Sequence, residues 1–371
     1  MSRIIIAFVF TLCALATCAE DEIKKQIKDT ALKYYESENI YDQFSGASSL
    51  IDLGEEEPLK FVVEQLFSGD FIIMRHAIDT ILSVSHPSAP DIISRAIERI
   101  DDDVFLKFVT ESLSKRTRPD MYFILLDLVE SEDPWVVKHS MQSLDMIEFD
   151  GKRKMYLDFI NSADTEEIIE AYAYMGLARL DPLNVEVQNK LIGFANDGTK
   201  DTREAAAVGL GRINTKASKE ALRLLRNSAQ PNVQIAALGS EVGLGLKEPR
   251  EKLIELILSG RGLDPTVAAA SIRRMPREVA NSITSELLDC CELNSDVGAR
   301  ILESWAELGE PNAKIIEWGL KHKNPDIKMQ AIWLVGTLRE KRYKEMLTKE
   351  LNNSDSGIAT MAAWSLLRIV I

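Results

Sequence analysis

The stretch Asp133-Pro134-Trp135-Val136-Val137-Lys138-His139-Ser140-Met141-Gln142-Ser143-Leu144 decides the fold. An aspartate ahead of a proline suits the first positions of a helix, where a side-chain oxygen can satisfy an orphan N–H and the proline lacks one to satisfy. Val136, Ser140 and Leu144 then fall at steps of four, which sets one stripe along that helix. The phrase returns. Gln230-Pro231-Asn232-Val233 leads to Ala237, Asp264-Pro265-Thr266-Val267 to Ser271 and Met275, and Asn324-Pro325-Asp326-Ile327 to Ala331 and Val335. Working outward along the small position gives ten anchors, Ala77, Phe108, Ser140, Ala173, Ala206, Ala237, Ser271, Ile301, Ala331 and Ala362, spaced by 30 to 34 residues. A degenerate earlier copy is expected around residues 40–52, in a register that the residues alone leave open.

Each phrase follows another run of helical periodicity, as at 119–130, 218–227, 249–258 and 311–320. Each period is therefore a pair of helices. Neither member can bury its stripe alone, so neighbouring pairs must stack into one extended core. The 46% hydrophobic and 27% charged composition supplies that core, and no linker-like composition break interrupts it after residue 22.

On these caps and core positions, over residues 55–371, the chain resembles the HEAT-like repeats of bacteria, in particular the short class named after phycobilisome lyases. The resemblance implies an all-α, right-handed αα-solenoid (superhelix) of about ten HEAT-like helix pairs. Proteins similar to this family mostly serve as scaffolds, and a minority are bilin lyases or metal-dependent hydroxylases. Residues 1–19 read as a signal peptide, 20–54 as an N-terminal helical cap with the degenerate repeat, and 55–371 as the solenoid.

The leader rests on Arg3 as its only charge, the apolar run Ile4 to Ala16, and Thr17-Cys18-Ala19 ahead of an acidic stretch. Cleavage after Ala19 and lipidation of Cys18 both fit, since Leu15-Ala16-Thr17-Cys18 approximates a lipobox whose Thr17 departs from the usual small residue. The expected location is periplasmic or secreted, with a lipid anchor as the alternative. Outside the leader only Cys290 and Cys291 remain besides Cys18, which excludes a disulfide scaffold and suits packed thiols.

A formal charge of −14 makes nucleic acid an unfavourable partner. The basic clusters Lys115-Arg116-Arg118, Lys152-Arg153-Lys154, Arg273-Arg274-Arg277 and Arg339-Lys341-Arg342 read as solvated helix ends. Catalysis is not expected, and neither a metal nor another cofactor. None of the four histidines is followed by glutamate, as the hydroxylases' His-Glu pairs would require. Gly209-Leu210-Gly211 sits mid-helix without the lysine or strand of a phosphate loop, and no Gly-x-Ser-x-Gly elbow occurs. A lyase-like enzyme of the bilin lyase class and a lipid-anchored envelope assembly factor stand as alternatives to a protein-binding adaptor.

The adaptor's surface is expected on the second helices, two residues past each anchor, where Asp79, Thr110, Gln142, Met175, Val208, Gly239, Arg273, Glu303, Trp333 and Trp364 form a mixed, solvent-facing ridge. Trp333 and Trp364 stand side by side on it, and Trp135 lies on the same face at a helix entrance. Large aromatics favour binding hot spots, so Trp333, Trp364, Trp135, Arg273 and Glu303 are the candidate residues for a protein or peptide partner. The competing reading buries both C-terminal rings. His76 and His139 are expected to be exposed, and Glu241, in a core register, points to a local slip, an outward side chain or an arginine partner. The apolar end Leu366 to Ile371 needs a cover, either by folding onto the last first-helix or by meeting a partner.

Overall fold

In the computed structural model, which describes residues 20–100, 102–115, 118–259, 263–290 and 292–371, the chain is an all-α solenoid with no strand among those residues. Its leader and Cys18 lie outside the described residues, as do Arg116 and Cys291. Among the described residues twenty-two α-helices form successive pairs. The first helices are α1 (20–35), α3 (Glu56–Leu66), α5 (Ala89–Arg99), α7 (Tyr122–Val129), α9 (Lys152–Asn161), α11 (Val185–Asp197), α13 (Lys216–Leu225), α15 (Lys247–Ser259), α17 (Arg277–Cys290), α19 (Ala313–Leu320) and α21 (Lys344–Glu350). The second helices are α2 (Ile40–Asp52), α4 (Phe71–Ser83), α6 (Asp103–Ser114), α8 (Pro134–Met146), α10 (Glu167–Leu180), α12 (Lys200–Leu210), α14 (Pro231–Gly243), α16 (Pro265–Ala270), α18 (Ser295–Glu307), α20 (Pro325–Thr337) and α22 (Ser356–Val370).

The sequence grammar operates as physics predicts. Asp133 accepts from the Trp135 N–H at 2.8 Å, Asp264 from Thr266 at 2.8 Å and Asn324 from Asp326 at 2.9 Å, each ahead of a proline in the first turn. Nine of the ten anchors are buried, and Phe108 is half-buried. Gly46 fixes the register of the degenerate copy. A Cβ there would lie 2.5 Å from the Ala31 carbonyl oxygen and 2.6 Å from the Tyr35 nitrogen, so only glycine lets α2 approach α1 this closely.

One second helix departs from the rest. α16 lasts six residues and tightens into a 3-10 turn over Ser271–Arg274. Pro276 drives Met275 into extended backbone (φ −90°, ψ 154°) and ends it.

The chain divides into two compact units: the described residues up to Ala96 with Ile316–Ile371, and Ile97–Ile315. In the first, α22 packs on α20 and α21 and also on α2, and α2 packs on α4. The apolar C-terminal helix is thus covered by the chain's own first repeats as well as by its last first-helix, and the former cover leaves no local sequence signal. In the second unit, α6, α8, α10, α12 and α14 stack in order, followed by α16 with its 3-10 turn and then α18.

Candidate functional site

Within the second unit a groove of about 770 Å³ runs along the second helices, lined by residues from α6, α8, α12, α14, α16 with its 3-10 turn, and α18. That residues from Glu111 to Glu307 face one groove follows from the stacking of these helices, each presenting the same face. Three sequence candidates meet there: Trp135, Arg273 and Glu303.

Trp135 stands at the entrance of α8, 37% exposed, with its ring centroid 4.1 Å from that of His139 one turn on. His139 is half-buried, not exposed as its register suggested. Burial first, and then the charge of Lys138, with lesser contributions from Arg273 and Arg274, lowers its pKa to about 4. The imidazole is therefore neutral near pH 7.

Beside it Lys138 donates to Glu204 at 2.7 Å and to Asp201 at 2.9 Å, a cross-repeat pair set in the groove wall. Burial disfavours the ammonium, but the two carboxylates outweigh it and hold the lysine pKa above its ordinary value. Tyr172, buried behind, accepts from the Gln142 amide at 3.1 Å. Burial and then Glu204 raise the phenol well above its usual range.

The groove is also lined by Arg273, which donates to both oxygens of Glu307 at 3.0 and 3.1 Å, and by Arg300, which pairs with Glu303. An adjoining recess of about 90 Å³ shares His139, Gln142, Arg273, Arg274 and Arg300 with the groove and reaches Asp145, Met175 and Arg212. There Arg212 grips Asp145 at 2.6 and 3.3 Å and donates to the Met175 carbonyl at 2.8 Å. The Arg274 side chain makes no hydrogen bond or ion pair with any described residue. Burial first, then Arg273, brings its pKa down to about 10, with Glu204 opposing. It stays charged at neutral pH.

Of the two readings of the C-terminal tryptophans, the structure shows the buried one for Trp364. Trp364 is 7% exposed, with Arg368 stacked 4.7 Å over its ring, because α22 is covered from both sides; Trp333 is half-buried in the same unit. Thr110, Met175, Val208 and Gly239, two residues past their anchors, are also buried, so the ridge's mixed composition did not signal exposure. Glu241 is buried at 2% exposure with no slip, since α14 runs unbroken, and Arg226 lies 3.3 Å away as its counter-charge. Cys290 is exposed at the end of α17 instead of packed. Arg277 pairs with Glu310 on the surface, whereas its cluster-mates Arg273 and Arg274 line the groove. The recess residues Arg274 and Arg212 escaped the sequence reading. Met275-Pro276, a stop too early for a second helix, was the signal that this repeat is built differently.

Among the described residues no three His, Cys, Asp or Glu side chains assemble as a metal-binding group. The fold and groove define an all-helical repeat protein with a charged concave face. No family model matches the chain, and no curated protein does. Solved structures align at low similarity. Human deoxyhypusine hydroxylase in complex with glycerol is 13% identical, covering 68% of this chain and 96% of its own, with a TM-score of 0.28. A structure from work on a phosphorylation switch in the cadherin–β-catenin interaction is 10% identical, covering 95% and 96%, with a TM-score of 0.26. An engineered protein is 14% identical, covering 84% and 96%, with a TM-score of 0.17.

Proposed function

We propose that the chain is an exported, HEAT-like adaptor that binds a protein or peptide partner along the groove of its second unit and does no chemistry on it. The observation that carries this reading is the groove itself. Second helices from six repeats contribute to one concavity, with a half-open tryptophan at its mouth and ion pairs that fix the wall side chains. Partners of such a surface gain from a preorganised aromatic anchor and from polar groups already held in place. Export rests on the leader pattern of residues 1–19.

Site-specific photocrosslinking in cells tests the binding surface. A benzophenone side chain at Val267, in the groove, should give a discrete adduct, while the same group at Leu183, 89% exposed and outside the groove, should give none. Equal labelling from both positions, or none from the groove, overturns the reading. Fractionation of the tagged chain tests export separately.

A further inference from the structure

The groove's charges nearly balance, but the balance fails at one place. The adjoining recess holds four guanidiniums, Arg212, Arg273, Arg274 and Arg300, against two carboxylates, Asp145 and Glu307. Three of the four are engaged. Arg212 holds Asp145, Arg273 holds Glu307, and Arg300 holds Glu303 from the groove wall. The carboxylate that acts on Arg274, Glu204, is itself held by Lys138. One guanidinium thus faces both cavities with its planar fork of donors unmet.

Leaving a partly buried charge without a counter-ion is costly, and doing so beside three other arginines compounds the cost. The chain as a whole is strongly acidic, with a formal charge of −14, so this local surplus runs against the average field of the molecule. An arginine fork matches an oxyanion in shape as well as in charge, donating two parallel hydrogen bonds to it. Trp135 and Val267, lining the same groove, supply apolar surface for residues flanking such a group.

We propose that Arg274 receives the oxyanion of a bound peptide, a carboxylate or a phosphate, and that this contact selects the partner segment. The proposal rests on the groove being the binding surface. Arg274 is carried by the 3-10 turn that Met275-Pro276 terminates, and Trp135 contributes affinity that is indifferent to the acid.

The test uses fluorescent twelve-residue peptide pools, degenerate except for a fixed central residue. Three amidated pools carry Glu, phosphothreonine or Gln, and a fourth Gln pool keeps its free C-terminal carboxylate. Purified chain should bind at least one acidic pool about tenfold more tightly than the amidated Gln pool, and the winning pool identifies the source of the oxyanion. Arg274→Gln should abolish that preference, Arg274→Lys should retain part of it, and Trp135→Ala should weaken all pools alike. Equal affinity for all four pools, each weakened by Trp135→Ala, overturns the acid selection and leaves the groove reading standing. No binding by any pool overturns this proposal, while the groove reading is decided by the crosslinks. An acid preference that survives Arg274→Gln also overturns it. Should that variant fail to fold by circular dichroism, raising NaCl from about 50 to about 300 mM must weaken the acidic pool more than the Gln pool in the unaltered chain. Equal weakening rejects the proposal.

Discussion

Arg368, in the last helix, donates to the main-chain carbonyl oxygen of Ser83, 285 residues earlier in the chain. The same guanidinium lies 3.7 Å from Asp52 and stacks over Trp364, so one side chain ties the final repeat to the first two. Asp52 is itself tied to the backbone by the Ser85 N–H at 2.6 Å, which fixes its carboxylate for the arginine. Charge-assisted bonds of this partly buried kind contribute about 1.5–3 kcal/mol each. Arg368→Ala and Asp52→Ala should each lower stability, and the double variant should lose less than their sum, by more than about 0.5 kcal/mol. Urea denaturation of the four proteins reads the coupling. Strict additivity would mean that the two residues act independently.

Asp145 anchors the floor of the recess. Burial works to raise its pKa, but Arg212, with Arg179 and Lys152 in support, pulls it below the ordinary carboxylate value. Lys152 reinforces the corner by donating to the carbonyls of Asp145 and Ile147, each at 2.7 Å. Asp145→Asn would leave these cations uncompensated, and breaking a buried pair from one side costs about 3–5 kcal/mol. The sign of the pH effect follows. A depressed folded-state pKa contributes stability above the unfolded value, which is lost as pH falls through the folded one. The penalty of Asp145→Asn should therefore be full at pH 7 and shrink below about pH 4. A penalty that does not change with pH would reject the ionised assignment.

How much of this was legible in the sequence depends on the range over which each feature is encoded. Caps and anchors are local, so Asp133, Asp264, Ala331 and their equivalents disclosed the helix pairs without any tertiary information. Gly46 marks where that ended: its close approach to α1 is a fact about two helices, and no periodicity in residues 40–52 expresses it. Trp364 was left open between two readings for the same reason. Angle around a helix says which way a side chain points but not what stands opposite, and α22 meets α2, a neighbour hundreds of residues away in the chain. In the groove, Trp135, Arg273 and Glu303 were found because their register repeats, whereas Arg274 was passed over as part of a solvated cluster. Arg274 sits in a segment that Pro276 forces to end in a 3-10 turn, where the angles of a regular α-helix do not hold.

Glu241 supplies a prediction of opposite sign from Asp145. Burial raises its pKa and Arg226 only partly opposes this, because Arg226 also serves Glu248 at 2.6 Å. A carboxyl whose folded-state pKa lies above the unfolded one binds protons more readily in the native state, so its ionisation erodes stability as pH rises through that interval. Glu241→Gln, close in shape and uncharged, should therefore melt at or above the unaltered chain at pH 7, with the difference vanishing below about pH 4. Calorimetry at the two pH values checks this. A variant several degrees less stable at pH 7 would show that the Arg226 pairing dominates burial.

His139 carries the clearest pH signature of the groove. Its pKa of about 4 lies below the ordinary 6.5, driven by burial first and then by Lys138, with Arg273 and Arg274 adding to the effect and Glu204 countering it. Between those two values the unfolded chain binds a proton that the folded chain refuses. Stability contributed by the neutral ring is thus fully present above about pH 6.5 and declines as pH falls toward 4. Replacing His139 by Gln should flatten this part of the stability profile, by on the order of 2 kcal/mol between pH 7 and pH 4.5 after allowing for partial exposure. Other carboxylates titrate at the lower edge, so the quantity to compare is the difference between the variant and the unaltered chain. Trp135 reports independently, because its ring lies against the imidazole. Its emission, isolated by subtracting the spectrum of Trp135→Phe, should change with a midpoint near pH 4. A midpoint near 6.5 would place His139 in open solvent and remove the packed wall on which the groove depends.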